Sequence, residues 1–404
     1  MAGEMPSLAL VEQAGKDEPA WLAKRRRAAW SAFSELPMPS SAVDEDWRRT
    51  DLGKLDLTAL PICPPTVEID LPDATKDSGV VACGLEEALE SYPKVMESAL
   101  AVAPGLTKFA ALNSALWNAG VLVYAPAGAT LEAPIGITFT ASANGVCLPL
   151  TLVVVEDGAQ ISLVTRYSAG AGAVVDAVAL ARVGSGAVLD YNTVQDQDLG
   201  SLHFALHDAV LERDARLTFF GAALGAKLQK SYWNCILAGR GAEATLTGLV
   251  AGSGTQHLDH QSLQSHNAPD TTSRLNLKAA VWDSAQSVYS GLINVEKEAV
   301  HADGYVQNRN LILSDKARAH SVPRLEIKAN DVKCGHGATA GHVDADQLFY
   351  LESRGISRAE AERIIVRGFF DDALDTLRHD GLRQEIAGLL EVKLAAIGLT
   401  SLDG

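Results

Sequence analysis

Three textures of apolar and polar residues follow one another along the chain. Up to about residue 110, Trp21, Leu22, Ala28, Ala29, Ala32 and Phe33 recur at helical spacing, which predicts an amphipathic helix with Lys24 to Arg27 on its solvated face. Pro37, Pro39, Pro61, Pro64 and Pro65 then break the pattern into loops. From about 111 to 340 the period shortens. Runs such as Ile161-Ser-Leu163-Val164, Val188-Leu189-Asp190-Tyr191, Leu217-Thr-Phe219-Phe220 and Ala244-Thr-Leu246 each follow a turn signal. Those signals are Gly-Ala pairs beginning at Gly128, Gly158, Gly172, Gly186, Gly225 and Gly241, with Asp214-Ala215 in the same style. The steps from 158 to 172 and from 172 to 186 are 14 residues each, and from 186 to 214 the step is 28.

A turn at every 14 residues with a short strand after it implies stacked rungs of roughly 28 residues, each made of two half-rungs. The expected core is therefore a parallel β-helix, or β-solenoid, whose interior fills with small aliphatics. A β-sandwich with glycine-rich turns is the alternative, and the regular step argues against it. After about 340 the period is helical again. Asp344 with Gln347 forms a capping box before Leu348, Phe349 and Leu351, and Gly355 is placed to end that helix. Ser357 with Glu360 starts a second helix, with Ala361, Ile364, Ile365 and Gly368 on one face. Leu382, Ile386, Leu389, Leu390 and Ile397 mark a third. Such a small bundle must dock on the solenoid end or on a partner. The predicted organisation is mainly β, with a helical and irregular region over 1–110, a β-helix core over 111–340 and a C-terminal helical domain over 341–404.

Composition narrows the function. Among 404 residues, 34 Lys and Arg against 50 Asp and Glu leave a net charge of −16, which argues against nucleic acid or an anionic membrane as the main partner. The longest near-apolar run, Leu148 to Val155, is far shorter than the ~20 residues that span a bilayer. The N-terminus has no basic stretch leading into an apolar one. The five cysteines, Cys63, Cys83, Cys147, Cys235 and Cys334, are dispersed without any Cys-x-x-Cys. That usage fits a reducing compartment, and a cytoplasmic protein is expected. Cys63, Cys83, Cys147 and Cys235 read by default as buried small hydrophobes.

Most catalytic motifs are missing. The sequence holds no P-loop, no Gly-x-Ser-x-Gly elbow and no His-Glu-x-x-His. The run Gly170-Ala-Gly172-Ala-Val-Val lacks the third glycine of a dinucleotide fingerprint. A carbohydrate-active β-helix enzyme needs paired carboxylates in a cleft, and no tight acidic cluster stands out. The segment Lys333-Cys334-Gly335-His336-Gly337 is different. In a strand Cys334 and His336 project to the same side, and thiolate and imidazole are ligands that iron–sulfur centres, copper and zinc accept. The bare glycines beside them leave room for another backbone or a ligand. Two ligands fall short of the usual four, so either the pair is a buried thiol beside a surface histidine or other ligands come from another chain. In His257-Leu-Asp259-His260 and His266, only His260 and His266 share a strand face, which favours a structural role.

These residues resemble a family. Pro323-Arg-Leu-Glu-Ile-Lys-Ala-Asn-Asp-Val-Lys-Cys334-Gly-His336-Gly-Ala-Thr339, Asp346-Gln-Leu-Phe-Tyr-Leu351, Ser353-Arg-Gly-Ile356 and Ala361-Glu-Arg-Ile-Ile365 look like the C-terminal signature of the SufB/SufD family of iron–sulfur cluster assembly proteins. Phe109-Ala-Ala-Leu-Asn113, Pro134-Ile135, Gly291-Leu-Ile293, Asn308-Arg-Asn-Leu311 and Asp44-Glu-Asp-Trp47-Arg-Arg-Thr-Asp51 are similar to other stretches of the family. Within it the chain resembles SufD. SufB-type chains carry a sulfur-accepting cysteine just before the pair that is Leu311-Ile312 here, and this sequence has Gln307-Asn308-Arg309-Asn310 there. The Lys333-to-Gly337 segment also has the SufD form.

The resemblance implies a right-handed β-helix between helical domains. It implies a non-enzymatic subunit that pairs with a SufB-like subunit through the β-helix and docks a SufC-like ABC-type ATPase through its C-terminal helices. Nucleotide binding by that ATPase would move the helices and rearrange the shared seam. His336, with Cys334, would face partner ligands around a nascent iron–sulfur cluster or iron, transient and shared, and a reduced flavin could join the complex. Phe349, Tyr350, Arg354 and Ile356 are the candidate ATPase contact, an aromatic beside arginine being a common anchor; bundle core is the other reading of Phe349 and Ile356. A SufB-like homodimeric scaffold is the alternative within the family.

Overall fold

The computed structural model describes residues 3–101 and 107–396; Ile397 lies outside them. From Ala119 to His342 the strands alternate between two sheets, except that Gly145–Cys147 and Pro149–Val155 both belong to the ten-stranded one, so the chain winds as a flattened solenoid. Each strand pairs in parallel with the strand one turn on. Gln160 lies beside Val188 and Val188 beside Arg216, two steps of 28 residues. One corner explains the repeating turn signal. Gly128, Gly158, Gly186, Asp214, Gly241, Asp270, His301 and Asp331 stack there, all left-handed with φ between 55° and 74°. Glycine and aspartate tolerate that region best. The corner amides carry the pairing around the bend: Gly158 donates to Ser185 O, Gly186 to Arg213 O and Asp214 to Arg240 O, at 2.8–2.9 Å.

The two ends differ. At the first, Thr66–Asp70 and Val81–Gly84 pair antiparallel with the outermost strands of the two sheets. These short strands lie in the region expected to be helical and irregular, and their apolar residues Val67 and Ile69 pack against the solenoid core. At the other end, Arg318–Ile327 closes the ten-stranded sheet and Lys333–His342 the nine-stranded one. Among the described residues each of these two strands is paired along one edge.

Helices cover both outer faces. On the ten-stranded sheet lie α1 (Leu8–Ala14), α2 (Ala20–Glu35), α4 (Leu85–Ser91), α5 (Pro93–Ala101) and α6 (Lys108–Leu116) or their neighbouring turns, with Leu22, Met96, Leu100 and Trp117 packed on Leu122, Leu152 and Leu180, whereas the short α3 (Thr75–Ser78) lies against Thr130–Ala141 of the other sheet. The basic run of α2 is not wholly solvated. Arg26 is 2% exposed, bound by both carboxylate oxygens of Glu18 at 2.8 Å and stacked 4.0 Å over Trp117.

On the nine-stranded sheet lie α8 (Arg358–Leu374) and α9 (Asp380–Ala396), preceded by α7 (Ala345–Ser353). The capping residues act as expected: Asp344 accepts from the amides of Asp346 and Gln347, and Ser357 from that of Glu360. The buried face of α8 is Ala361, Val366, Phe370 and Ala373, whereas Ile364 is exposed. The bundle docks on the sheet face rather than the solenoid end. Val366, Phe370, Leu374, Ile386 and Leu390 pack on Val164, Phe220, Leu249 and Ala280, each large side chain contributing ~1.5–3 kcal/mol by burial. Polar ties add to this: Arg166 to both carboxylate oxygens of Glu385 at 2.6 and 2.7 Å, Lys278 Nζ to Phe369 O at 2.6 Å, and Lys393 Nζ to Gln256 Oε1 at 2.6 Å.

The interior departs from small aliphatics in the middle turns. Phe219, Trp233 and His260 stack at 5.1 Å intervals, and Gly221 and Gly248 are bare because a Cβ would meet the Trp233 indole. Burial pushes the His203 imidazole down to about 3 and those of His207, His260 and His266 to about 4, so all are neutral at pH 7. His266 holds Thr271 and Ser273 at 2.8 Å, as a structural histidine would.

The turn Glu45–Trp47 is latched onto the ten-stranded sheet by a buried ion pair. Lys230 Nζ donates to Asp259 Oδ2 at 2.6 Å and to the Asp46 carbonyl, and the Thr50 hydroxyl donates to the same carboxylate. Burial pushes the Lys230 pKa down, and Asp259 opposes that shift. Asp259→Asn is expected to cost ~3–5 kcal/mol in chemical denaturation by stranding the ammonium. The double variant Lys230→Met, Asp259→Leu should recover most of the loss; equal losses in both would refute the ion-pair account.

Candidate functional site

Cys334 and His336 lie on the terminal strand of the nine-stranded sheet. Their register partners are Gly304 and Val306. Val306 belongs to the interior core, and a Cβ on Gly304 would touch Ile293 and His266, so positions 334 and 336 continue the inward-facing row. No described turn covers them. Val306 is 2% exposed, whereas one turn further Cys334 is half-buried and His336 exposed. The two side chains therefore line the mouth of the solenoid. Partial burial raises the Cys334 pKa, with Asp303 adding to the effect and the Gly304 backbone opposing it.

The flanking glycines lie beside Tyr305. Tyr305 lies on the outer face, and its ring is 3.6 Å from where a Cβ of Gly335 would be, its hydroxyl 3.0 Å from that of Gly337. A side chain at Gly335 would make only ordinary contact with the Tyr305 ring, and one at Gly337 would crowd its hydroxyl. Behind the mouth, Asn308 Nδ2 donates to Leu277 O and Asn310 Nδ2 to Asn308 Oδ1 and Thr339 O, at 2.8–3.1 Å. This amide chain ties the last three turns of the sheet together. Among the described residues no group of three or more His, Cys, Asp or Glu is placed to hold a metal ion.

The helical candidates lie elsewhere. Phe349 is 71% and Tyr350 57% exposed on α7, Arg354 stacks 5.1 Å from the Tyr350 ring, and Ile356 is half-buried. The bundle-core reading therefore fails for Phe349. Only Val343 and Asp344 separate α7 from the terminal strand.

One constellation escapes sequence reading because its members are 217 residues apart. In the turn between α8 and α9, His379 Nε2 is 2.7 Å from Ser162 Oγ, which donates to Asp190 Oδ2 at 3.1 Å, beside Arg378 in a cleft of about 220 Å³. Asp190 also approaches Nε2, at 3.6 Å, so it does not orient the imidazole from its far nitrogen as a nucleophilic triad requires. Its contacts fasten the turn to the sheet.

The fold is a β-solenoid with helices on the outer faces of both sheets and with Cys334 and His336 on the last strand of the nine-stranded one. Residues 138–369 match the family model described as SUF system FeS cluster assembly, SufBD core domain. The chain belongs to the SufB/SufD family of the SUF system of iron–sulfur cluster assembly. It is 30% identical to the iron–sulfur cluster assembly protein SufB of Bacillus subtilis over 300 residues, 72% of this chain and 64% of the relative. It is 34% identical to SufD of Escherichia coli over 194 residues, 48% of this chain and 46% of that protein. These two matches span less than two thirds of the relatives' lengths. SufD of Bacillus subtilis is 26% identical over 416 residues, covering 93% of this chain and 95% of the relative. No helix among the described residues is long and apolar enough to cross a membrane.

The cysteines provide a direct check on this geometry. In the folded protein, brief alkylation is expected at Cys63 and Cys334, while buried Cys83, Cys147 and Cys235 react after unfolding. Because the Cys334 thiol is shifted upward, its labelling should keep rising through and above pH ~9. Peptide mass spectrometry showing Cys334 protected would refute an open mouth.

Proposed function

We propose that this chain is the SufD-type, non-catalytic subunit of a SUF assembly complex. The observation that carries the reading is the uncovered last turn, where two unpaired strand edges frame an interior row ending in Cys334 and His336. Unpaired edges are templates for another chain, and a SufB-like subunit seated there would extend both sheets. The same contact would bring further ligands to His336 and Cys334, since thiolate and imidazole suit iron and iron–sulfur cargo. The SufD-type assignment rests on positions 307–310, where Asn308 and Asn310 form an amide chain and no thiol is present. The absence of catalytic motifs fits an assembly subunit whose hydrolysis step belongs to a partner.

A SufC-like ATPase would dock on α7 through Phe349, Tyr350 and Arg354, with Ile356 supporting the turn. Since α8 and α9 are fastened to the sheet by apolar packing and by polar ties from Arg166, Lys278, Lys393 and His379, the element free to respond is α7. Thr66–Asp70, Val81–Gly84 and the N-terminal helices serve to close and sheathe the other end.

With SufB-like and SufC-like partners co-expressed, His336→Ala is expected to leave co-purification intact while cluster assembly in cells falls at least several-fold. Unimpaired assembly would overturn the role of His336. Arg354→Glu should abolish recovery of the ATPase subunit while the far-UV spectrum and melting curve stay unchanged. A SufB-like homodimer is favoured by the Bacillus subtilis SufB match and by Cys334 at the mouth; it requires the isolated chain, supplied with iron and sulfide, to hold a stable coloured cluster.

A further inference from the structure

Cys63 and Cys147 are 84 residues apart in sequence and neighbours in space. The segment ahead of Cys63 runs alongside the strand Gly145–Cys147. Ile62 forms a parallel bridge with Val146, the Val146 amide donates to Pro61 O at 2.8 Å, and the Cys63 amide donates to Val146 O at 2.9 Å. The next residue on each side is a cysteine. Paired backbones run ~4.7–4.9 Å apart, inside the ~4.4–6.8 Å between Cα atoms that a disulfide spans.

Both side chains lie against the interior core, the Cys63 thiol over Gly145 and the Cys147 thiol beside the Cys63 carbonyl. Cys147 belongs to the solenoid's interior core, Cys63 packs against that core, and Cys147 Sγ lies 2.8 Å from the Cys63 carbonyl oxygen. Gly145 keeps the place of the Cys63 thiol free, because a Cβ there would collide with Cys63 Sγ. The two thiols differ in access. Cys63 is half-buried and Cys147 buried, its pKa pushed up to about 12 by burial and secondarily by Cys63. An accessible attacking thiol beside a sheltered resolving one is the arrangement that sequential disulfide exchange uses.

We propose that Cys63 and Cys147 form a reversible dithiol–disulfide pair, oxidised by exchange with a small disulfide such as oxidised glutathione. The Cys63 thiolate attacks one sulfur of the small disulfide, forms a mixed disulfide and releases one glutathione. The Cys147 thiol then gives up its proton and attacks Cys63 Sγ, and the second glutathione leaves and takes up that proton. The protein loses two electrons and two protons and the small disulfide gains them. The product fastens the N-terminal arm to the solenoid. Gly3 N–H donates to Ile62 O at 2.7 Å and Ile62 N–H to Glu4 O at 2.8 Å, so the new bond would lock three adjacent backbone segments.

The test is peptide mapping without reductant after the full chain is incubated with oxidised glutathione at mildly alkaline pH. Expected are a single cross-linked peptide pair holding Cys63 and Cys147, a free-thiol count lower by two, and full reversal by dithiothreitol. Amide exchange over residues 60–64 should slow in the oxidised form. Cys147→Ala should instead trap glutathione on Cys63, and Cys63→Ala should block the first step. Glutathione retained on Cys63 in the unsubstituted protein, a cross-link to another cysteine, or no loss of thiols would each overturn the proposal. The unsubstituted protein alone decides between these outcomes, so a variant that fails to fold does not blunt the test.

Discussion

Each turn of the solenoid is held by backbone hydrogen bonds to the turns before and after it, and parallel pairing of this kind has no end of its own. Something must stop it on both sides. At one end the chain does this itself: Thr66–Asp70 and Val81–Gly84 reverse direction against the outermost strands, and the N-terminal helices sheathe them. At the other end Arg318–Ile327 and Lys333–His342 present unpaired edges, and the interior row that was closed at Val306 is open at His336. Structural incompleteness and chemical interest coincide there. Under the proposed function, Cys334 and His336 would be completed there by a second chain.

Among the described residues the two ends differ in strand direction, antiparallel at the first and parallel at the last. Both sheets turn their outer faces to helices. The ten-stranded sheet is additionally fastened by the Glu45–Trp47 turn, whose Asp46 reaches Arg324 on the last strand at 3.1 Å. The latch of Lys230, Asp259 and Thr50 thus lies on the path between the N-terminal arm and the mouth. Its cost in desolvation is offset by hydrogen bonds to every charged atom, the condition under which a buried ion pair is tolerable.

The core was legible because its early turns use the same residue at the same corner. The 28-residue step is regular from Gly158 through Gly186 to Asp214, with Gly172 marking another corner halfway, and it becomes uneven where Asp270, His301 and Asp331 follow. The C-terminal helix starts could be read from their caps, since Ser357 and Asp344 act through local hydrogen bonds. The tertiary consequences could not. Arg26 is buried because Glu18 and Trp117 happen to meet it, α8 turns Phe370 rather than Ile364 inward because a sheet lies beneath, and the interior carries histidines because each finds ring or hydroxyl neighbours. Cys334 and His336 were visible through strand parity; that Tyr305 lies beside their glycines depends on a register no local pattern encodes. Cys63 and Cys147 are adjacent through a single bridge between distant segments.

The short span between the terminal strand and α7 has a mechanical consequence. Val343 and Asp344 are too few to act as a slack tether, while α7 rests on α8 and α8 is anchored to the strands Glu243–Gly252 and Thr272–Val281. A load applied to the exposed Phe349 and Tyr350 would therefore divide between a firm fulcrum, α8, and a weakly held arm, the outermost strand. That strand is hydrogen-bonded along one edge only and would yield before α8. Small rotations of α7 would be geared into a tilt of the strand that carries Cys334 and His336.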